Sequence, residues 1–276
     1  MRSFPPRRIV CLTEETVETL YLMGEDTRIA GVSGYAVRPP RVRKEKPRVG
    51  AFISADVPKI LALDPDLVLT FSDLQAGIVA DLVKAGIAVH AFNQRDIAGI
   101  FAMIETLGAL IGKPEKSAAL CEELQAGLAA ARARSAALPA RPRIYFEEWD
   151  EPMISGIGWV SELIEIAGGV EAFPDLATRK SAPERIVTNE DVIAARPDII
   201  IGSWCGKKFV PGRVQERPGF GQIPAVRDGF LREIKSTIIL QPGPAALTDG
   251  LAAIEAIVAE WLETRAAAGA ATAAQT

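Results

Sequence analysis

One histidine, three cysteines and an aromatic content of 6% are what this 276-residue chain has least of, and each shortage removes a class of chemistry. A single imidazole, His90, is too little for most metal centres, and within the apolar run Ile87 to Phe92 it reads as a packed or strand-edge residue. Cys11, Cys121 and Cys205 are widely separated, odd in number and without a CxxC pair, so neither a disulfide framework nor a zinc site is expected. No metal ligand is assigned: Glu147, Glu148, Asp150 and Glu151 form an acidic cluster suited to a hard cation, but they read as an exposed loop. Lysine and arginine number 31 against 35 acids, and the basic run Arg38 to Arg48 is short and broken by proline, which argues against nucleic acid as a partner.

No apolar stretch approaches the ~20 residues of a membrane span, so the chain is not expected to be membrane-embedded. A strand beginning near Arg8 leaves no room for a secretory leader; as the chain stands it is expected in the cytoplasm, and in the periplasm if a leader has been trimmed. Catalytic motifs are also missing. Gly156-Ile157-Gly158 lacks the third glycine of a dinucleotide fingerprint, there is no P-loop, and Gly202-Ser203-Trp204-Cys205-Gly206 has tryptophan where a nucleophile elbow needs its nucleophile. A Cys205 and His90 pair is the one nucleophilic combination left. The chain is expected not to be an enzyme.

What the chain does have is a duplication. Ile60-Leu61-Ala62-Leu63-Asp64-Pro65-Asp66-Leu67-Val68-Leu69 returns 132 positions later as Val192-Ile193-Ala194-Ala195-Arg196-Pro197-Asp198-Ile199-Ile200-Ile201. In each copy a helix end meets a Pro-Asp corner and then an apolar strand, the pattern of a helix feeding a buried parallel strand. Such corners also arise by chance in α/β proteins. Read as a true repeat, they predict two similar α/β lobes with a ligand cleft between them.

Around the repeat the elements alternate. Strands are expected at Arg8 to Leu12, Ile29 to Val32, Val49 to Phe52, Leu67 to Phe71 and Ile87 to Phe92. Thr13 caps a helix that Gly24 ends, and Ser72 to Gln75 form a capping box. From Asp96 to Leu138 only helical periodicity remains, broken at Gly112-Lys113-Pro114. The piece from Pro114 to Leu138 would reach about 37 Å and reads as a rigid connector. Strands resume at Arg143 to Phe146, Ile199 to Ile201, Leu231 to Ile234 and Ile238 to Leu240, with helices at Trp159 to Ala167, Asn189 to Ala195 and Ala245 to about Glu263. The expected organisation is an N-terminal α/β lobe over 1–113, a connecting helix over 114–138, a C-terminal α/β lobe over 139–265 and a disordered tail over 266–276. The fold class is α/β: two Rossmann-like lobes joined by one long rigid helix.

The helical connector, the Arg-Ile-Val-Cys-Leu start followed by Thr13 to Gly24, the step from Val49-Gly50 to Pro58 into Ile60 to Leu69, and Trp159 to Gly169 together resemble the class III substrate-binding proteins of ABC importers. The cobalamin-binding branch of that vitamin B12, siderophore and haem family is the most similar. The resemblance implies a monomeric binding protein with no intrinsic cofactor, a corrinoid or related metal chelate as small-molecule ligand, and an ABC permease as partner. It also implies an acidic docking residue on each lobe. Glu190 holds that position in the second lobe; in the first, Pro58 stands there, with Asp56 two residues away as substitute. A tryptophan that packs on the corrin in this branch is matched here by Glu184. His90 could meet a corrinoid cobalt, although packing is the simpler role.

Ligands of open α/β sheets sit outside the carboxyl ends of strands. Those ends deliver Tyr35, Arg38, Phe52 and Phe71 in the first half and Trp149, Trp159, Trp204, Lys207 and Gln241 in the second, the expected ligand-binding set. Three of four tryptophans fall there, which suits a flat organic ligand. Arg38, Lys207 and Lys208 suit its carboxylate, phosphate or amide oxygens. Two other functions fit the same features: a leaderless sensor or store for a small polar ligand, and a tetrapyrrole metal chelatase, against which the single histidine counts.

Overall fold

Nine short strands form two separate sheets in the computed structural model, which describes residues 4–273. The chain divides into two units: one runs to Gln125 and takes back Gln241–Ala245, and the other holds Ala126–Leu240 and everything from Ala246.

The first unit is built on β1 (Ile9–Cys11), β2 (Ile29–Val32), β3 (Leu67–Phe71) and β4 (Val89–Phe92), all parallel, in the order β2-β1-β3-β4. Parallel strands are covered on both faces, so they read as unbroken apolar runs; every residue of β1 and β3 is buried. Val10, Leu12, Ile60, Val68, Leu82 and Ile87 make one core cluster beneath helices Val57–Ala62 and Ala76–Lys84.

The second unit uses β5 (Arg143–Asp150), β6 (Met153–Ser155), β7 (Val170–Glu171), β8 (Ile199–Gly202) and β9 (Leu231–Glu233). Its order is β6-β5-β8-β9, with β7 parallel to the start of β5 and β6 antiparallel to its end. Tyr145, Ile200, Trp204, Phe209, Phe220 and Ile223 pack in its core.

The two copies of the repeated segment adopt the same geometry. Helices Val57–Ala62 and Asn189–Ala195 are followed by a left-handed residue at the same repeat position, Asp64 at φ 45° and Arg196 at φ 48°, and the next residue is a proline that cannot continue a helix. The carbonyl of Leu63 accepts a hydrogen bond from Arg8 Nε at 3.0 Å, and that of Ala195 accepts one from Arg143 Nη1 at 3.1 Å. Leu67 to Leu69 and Ile199 to Ile201 then enter different sheets.

Helix Pro114–Ser135 is continuous; its residues to Gln125 fall in the first unit and the rest in the second. At its start Lys116 Nζ lies 2.6 Å from Glu25, and at its end Arg134 forms a two-bond pair with Glu255.

Several expectations need correction. Val49 to Phe52 is not a strand: only isolated bridges, Val32 with Arg48 and Gly50 with Ala55, form there. Ile238 to Leu240 is not a strand either, because helix Ser236–Ile239 buries Ile239 and turns its carbonyl to Trp159 Nε1 at 2.9 Å. The capping box at Ser72 is incomplete. Ser72 accepts from Leu74 N, while Gln75 is fully buried and bonds to Phe71, Leu12 and Phe52. Glu147, Glu148 and Asp150 are not in an exposed loop, since β5 runs four residues beyond Phe146. The last helix spans Leu251–Ala273, through most of the expected tail, because its alanines are strong helix formers; residues 274–276 of that tail lie outside the described residues.

Candidate functional site

Parallel strands aim their carboxyl ends at one edge of each sheet, and the residues of interest gather on the loops leaving those edges. In the first unit three loops are tied to one another there. Gly34 N donates to Gly50 O at 2.7 Å, Ala51 N to Ser54 O at 2.8 Å, and Gln75 Nε2 to Phe52 O at 2.7 Å. These loops hold out apolar side chains: Tyr35 is 52% exposed, Ile53 71% and Leu74 62%, and Phe52 is half-buried. An apolar group held in water by a hydrogen-bonded frame marks a contact surface better than scattered exposed residues do.

The other residues expected at this edge are engaged. Phe71 is buried, with the Arg95 guanidinium carbon 5.0 Å from its ring centre. Arg38 Nε donates to Glu18 Oε1 at 2.8 Å, and the second oxygen of Glu18 accepts from Ala245 N at 3.1 Å. Gln241 is half-buried at the start of the segment Gln241–Ala245. Gly243 in that segment passes so close to helix Glu14–Leu22 that an added Cβ would stand 2.6 Å from Glu15 Cβ.

Buried carboxyls lie at the start of that helix. Burial pushes the Glu14 carboxyl up to about 7, against the hydrogen bonds from its own backbone N–H and from Ser33. Glu15 is pushed up to about 8 by burial and by the charge of Glu14, opposed by Thr13, whose hydroxyl donates to Glu15 Oε1 at 2.6 Å. Both lie in the first turn of the helix that follows Thr13. Nearly the whole helix is buried, and no periodicity betrays a helix enclosed on every side.

In the second unit the strand end of β5 carries a set of ion pairs instead of a cation site. Glu147, with no exposed surface, accepts from Trp204 Nε1 at 2.8 Å, Tyr145 Oη at 3.0 Å and both terminal nitrogens of Arg217 at 2.6 and 2.9 Å. Burial, with the Glu147 charge and hydrogen bond, drives the Tyr145 hydroxyl far above its ordinary value. Glu148 pairs with the buried Arg185 at 2.6 Å. Asp150 meets Lys207 at 2.9 Å and Arg213 at 3.1 Å; although burial would raise it, these cations hold its carboxyl below the usual range. Among the described residues no group of three or more metal-ligating side chains converges.

The tryptophans separate into two kinds. Trp204 is 1% exposed and packs edge-on against Phe209, and Trp159 is 3% exposed with its N–H on Ile239. Both, expected among the ligand-binding residues, are core residues, each held by polar and apolar partners that sequence spacing does not reveal. Trp149 is half-buried, bonds through Nε1 to Glu151 O at 2.8 Å, and has Lys207 Nζ 3.7 Å from its ring centre.

The positions at which the resemblance implies docking residues follow the repeat. Asp56 and Thr188 are equivalent N-caps, accepting from Lys59 N and Asp191 N, and Pro58 and Glu190 are the second residues of the two helices. Glu190 is exposed; Asp56 is exposed too but its carboxylate caps a helix.

Two of the three thiols are held protonated. Burial raises Cys11 to about 12 and Cys121 to about 11, and Cys205 is exposed. His90 packs against Phe92 with ring centres 4.4 Å apart, and burial lowers its imidazole below the ordinary value.

The family model described as "Periplasmic binding protein" matches residues 9–237. A protein of Halobacterium salinarum named "Cobalamin-binding protein" is 29% identical over 199 residues, 71% of this chain and 53% of that one, so the chain matches about half the length of that relative. The "Vitamin B12-binding protein" of Vibrio vulnificus is 24% identical over 254 residues, 90% of this chain and 88% of that one. Among solved structures, the periplasmic heme-binding protein RhuT from Roseiflexus sp. RS-1 superposes with a TM-score of 0.77 at 23% identity, covering 92% of this chain and 99% of that one. These are binding proteins, not enzymes.

Proposed function

This chain belongs to the periplasmic binding protein family, and on that premise we propose that it captures a corrinoid or a closely related metal chelate for an ABC importer. The observation that carries the reading is the frame of three hydrogen-bonded loops holding Tyr35, Phe52, Ile53 and Leu74 at the carboxyl edge of the first sheet. A large, flat, partly apolar chelate is the kind of ligand such a surface suits, because aromatic and aliphatic side chains supply contact area with little entropy lost. The names of the Halobacterium and Vibrio relatives support a corrinoid; the Roseiflexus structure makes haem the second candidate. The chelatase alternative falls with the family assignment.

As an importer component the protein works outside the cytoplasmic membrane, as a monomer, and presents Glu190 to the permease. No helix among the described residues is long and apolar enough to cross a membrane. Because Pro58 replaces the second acid, docking rests on one carboxylate where the resemblance implies two.

Titration with cobalamin, cobinamide, haemin and a ferric siderophore, followed by tryptophan fluorescence, tests the reading. Saturable quenching by a corrinoid at micromolar concentration or below is expected. Tight binding of haemin with none of either corrinoid would move the assignment to haem, and binding of no chelate would overturn it.

A further inference from the structure

We infer that the second unit contains a subsite for an anionic substituent, a phosphate ester or a carboxylate, in the depression just beyond the carboxyl ends of β8 and β9. The two strands are adjacent and parallel, with Gly202 in register with Glu233, so the loops that follow them leave from the same point of the sheet edge. Gly206, Lys207, Lys208, Glu233, Lys235 and Thr237 line the depression, together with Ser236; its volume is about 410 Å³, room for a substituent and not for a whole corrinoid.

The charges there do not cancel. Lys207 pairs with Asp150 at 2.9 Å, a carboxylate it shares with Arg213. Lys208 and Lys235 are exposed and make no ion pair among the described residues. The one carboxylate of the lining, Glu233, accepts from Phe209 N at 3.1 Å and is not within ion-pair distance of any of the three lysines. Two lysines without an ion pair therefore line one depression together with Ser236 and Thr237, in a chain whose net charge is -4. Like charges on a shared depression repel unless an anion lies between them, and an anion there collects charge-assisted hydrogen bonds from both. At Gly206 the backbone takes φ +72°, and an added Cβ would meet nothing within 4 Å, so the turn leaves the mouth open.

The subsite deepens the proposed function and rests on it for the identity of the ligand, but not for its own existence. Inorganic pyrophosphate is the first probe, titrated into the whole protein with ¹⁵N amide spectra as readout. Saturable shifts confined to Gly206, Lys208, Ser236 and Thr237, lost in the Lys208→Gln/Lys235→Gln double variant, are expected; no saturable shift, or shifts that survive in the double variant, would overturn the subsite.

Chelates identify the source. Against cobalamin, whose nucleotide loop carries a phosphodiester, the double variant should bind about tenfold more weakly, with cobinamide, which lacks that loop, unaffected. A loss confined to haemin would assign the depression to carboxylates. Undiminished affinity for every anionic chelate that the wild-type protein binds would also overturn the proposal. If the wild-type protein binds no chelate, the proposed function fails and the pyrophosphate result alone decides the subsite. Lys208→Arg/Lys235→Arg should restore binding, which separates charge from folding.

Discussion

Asp66 and Asp198, 132 positions apart, make the same bond: Asp66 Oδ2 accepts the backbone N–H of Arg8 at 3.0 Å, and Asp198 Oδ2 accepts that of Arg143 at 2.9 Å. Each carboxylate thereby ties the residue before its own strand, β3 or β8, to the entry of the neighbouring strand. The backbone returns the bond in both units, Asp66 N to Arg8 O and Asp198 N to Arg143 O, both at 2.8 Å. The repeated Pro-Asp corner is thus a device that sets strand register.

Removing that device should be costly at either place. Asp66→Ala and Asp198→Ala are each expected to lower unfolding stability by about 1–2 kcal/mol, since a backbone donor loses a charged acceptor. Asn, which keeps an acceptor oxygen, should recover part of the loss. Urea unfolding of the four variants checks this, and an Ala variant as stable as wild type would deny the corner its role.

Tryptophan replacements should divide by burial. Trp204→Ala opens a core and strips Glu147 of a donor, so a loss of about 3–5 kcal/mol is expected. Trp149→Ala should cost less than about 1 kcal/mol and weaken chelate binding about tenfold, because its half-buried ring lies at the sheet edge. Circular dichroism melts with parallel ligand titrations separate the two effects. Equal destabilisation by both variants would contradict the division.

Stability should fall as pH rises from about 4.5 to 8. Glu14 and Glu15 hold their protons up to about 7 and 8 in the folded protein, while the unfolded chain releases them near the ordinary value of 4.5. Across that window the folded state binds more protons than the unfolded state, so the slope of stability against pH is negative. Glu171, raised by burial to about 7, contributes in the same direction. Urea midpoints at pH 5, 6.5 and 8 should decline in wild type and decline less in Glu14→Gln/Glu15→Gln. Parallel curves for the two proteins would show that these carboxyls are ionised throughout.

Docking and folding should be separable at equivalent helix starts. Glu190→Ala should leave stability within about 0.5 kcal/mol and reduce uptake by the cognate importer, as an exposed side chain used only for a partner would. Asp56→Ala removes an N-cap and should cost about 1 kcal/mol of stability. Uptake assays beside thermal melts read both. Normal transport by Glu190→Ala would remove this residue from the proposed interface.

Much of the architecture was legible in the residues. Continuous apolar runs announced β1, β3 and β8, and helix Asn189–Ala195 and strand β2 have the bounds read from sequence. The repeat announced two similar sheets. The site was less legible. Phe71 ends β3 and Trp204 follows β8 closely, while Trp159 stands in helix Gly158–Ile166 and Arg38 lies well past β2; nearness to a strand end says nothing about what covers a side chain. The strand expected at Ile238 to Leu240 failed because three β-branched or apolar residues fit a buried helical turn as well as a strand.

Helix period, the parallel-strand pattern and the corner chemistry of Pro65-Asp66 and Pro197-Asp198 act over a few neighbouring residues, and the sequence by itself determined them. The enclosure of Glu147 needed partners 57 and 70 positions away, Trp204 and Arg217, and that of Glu15 needed Gly243 to close over it. Burial is a property of what long-range packing brings together, so only the tertiary structure decided which charges and rings are core and which face water.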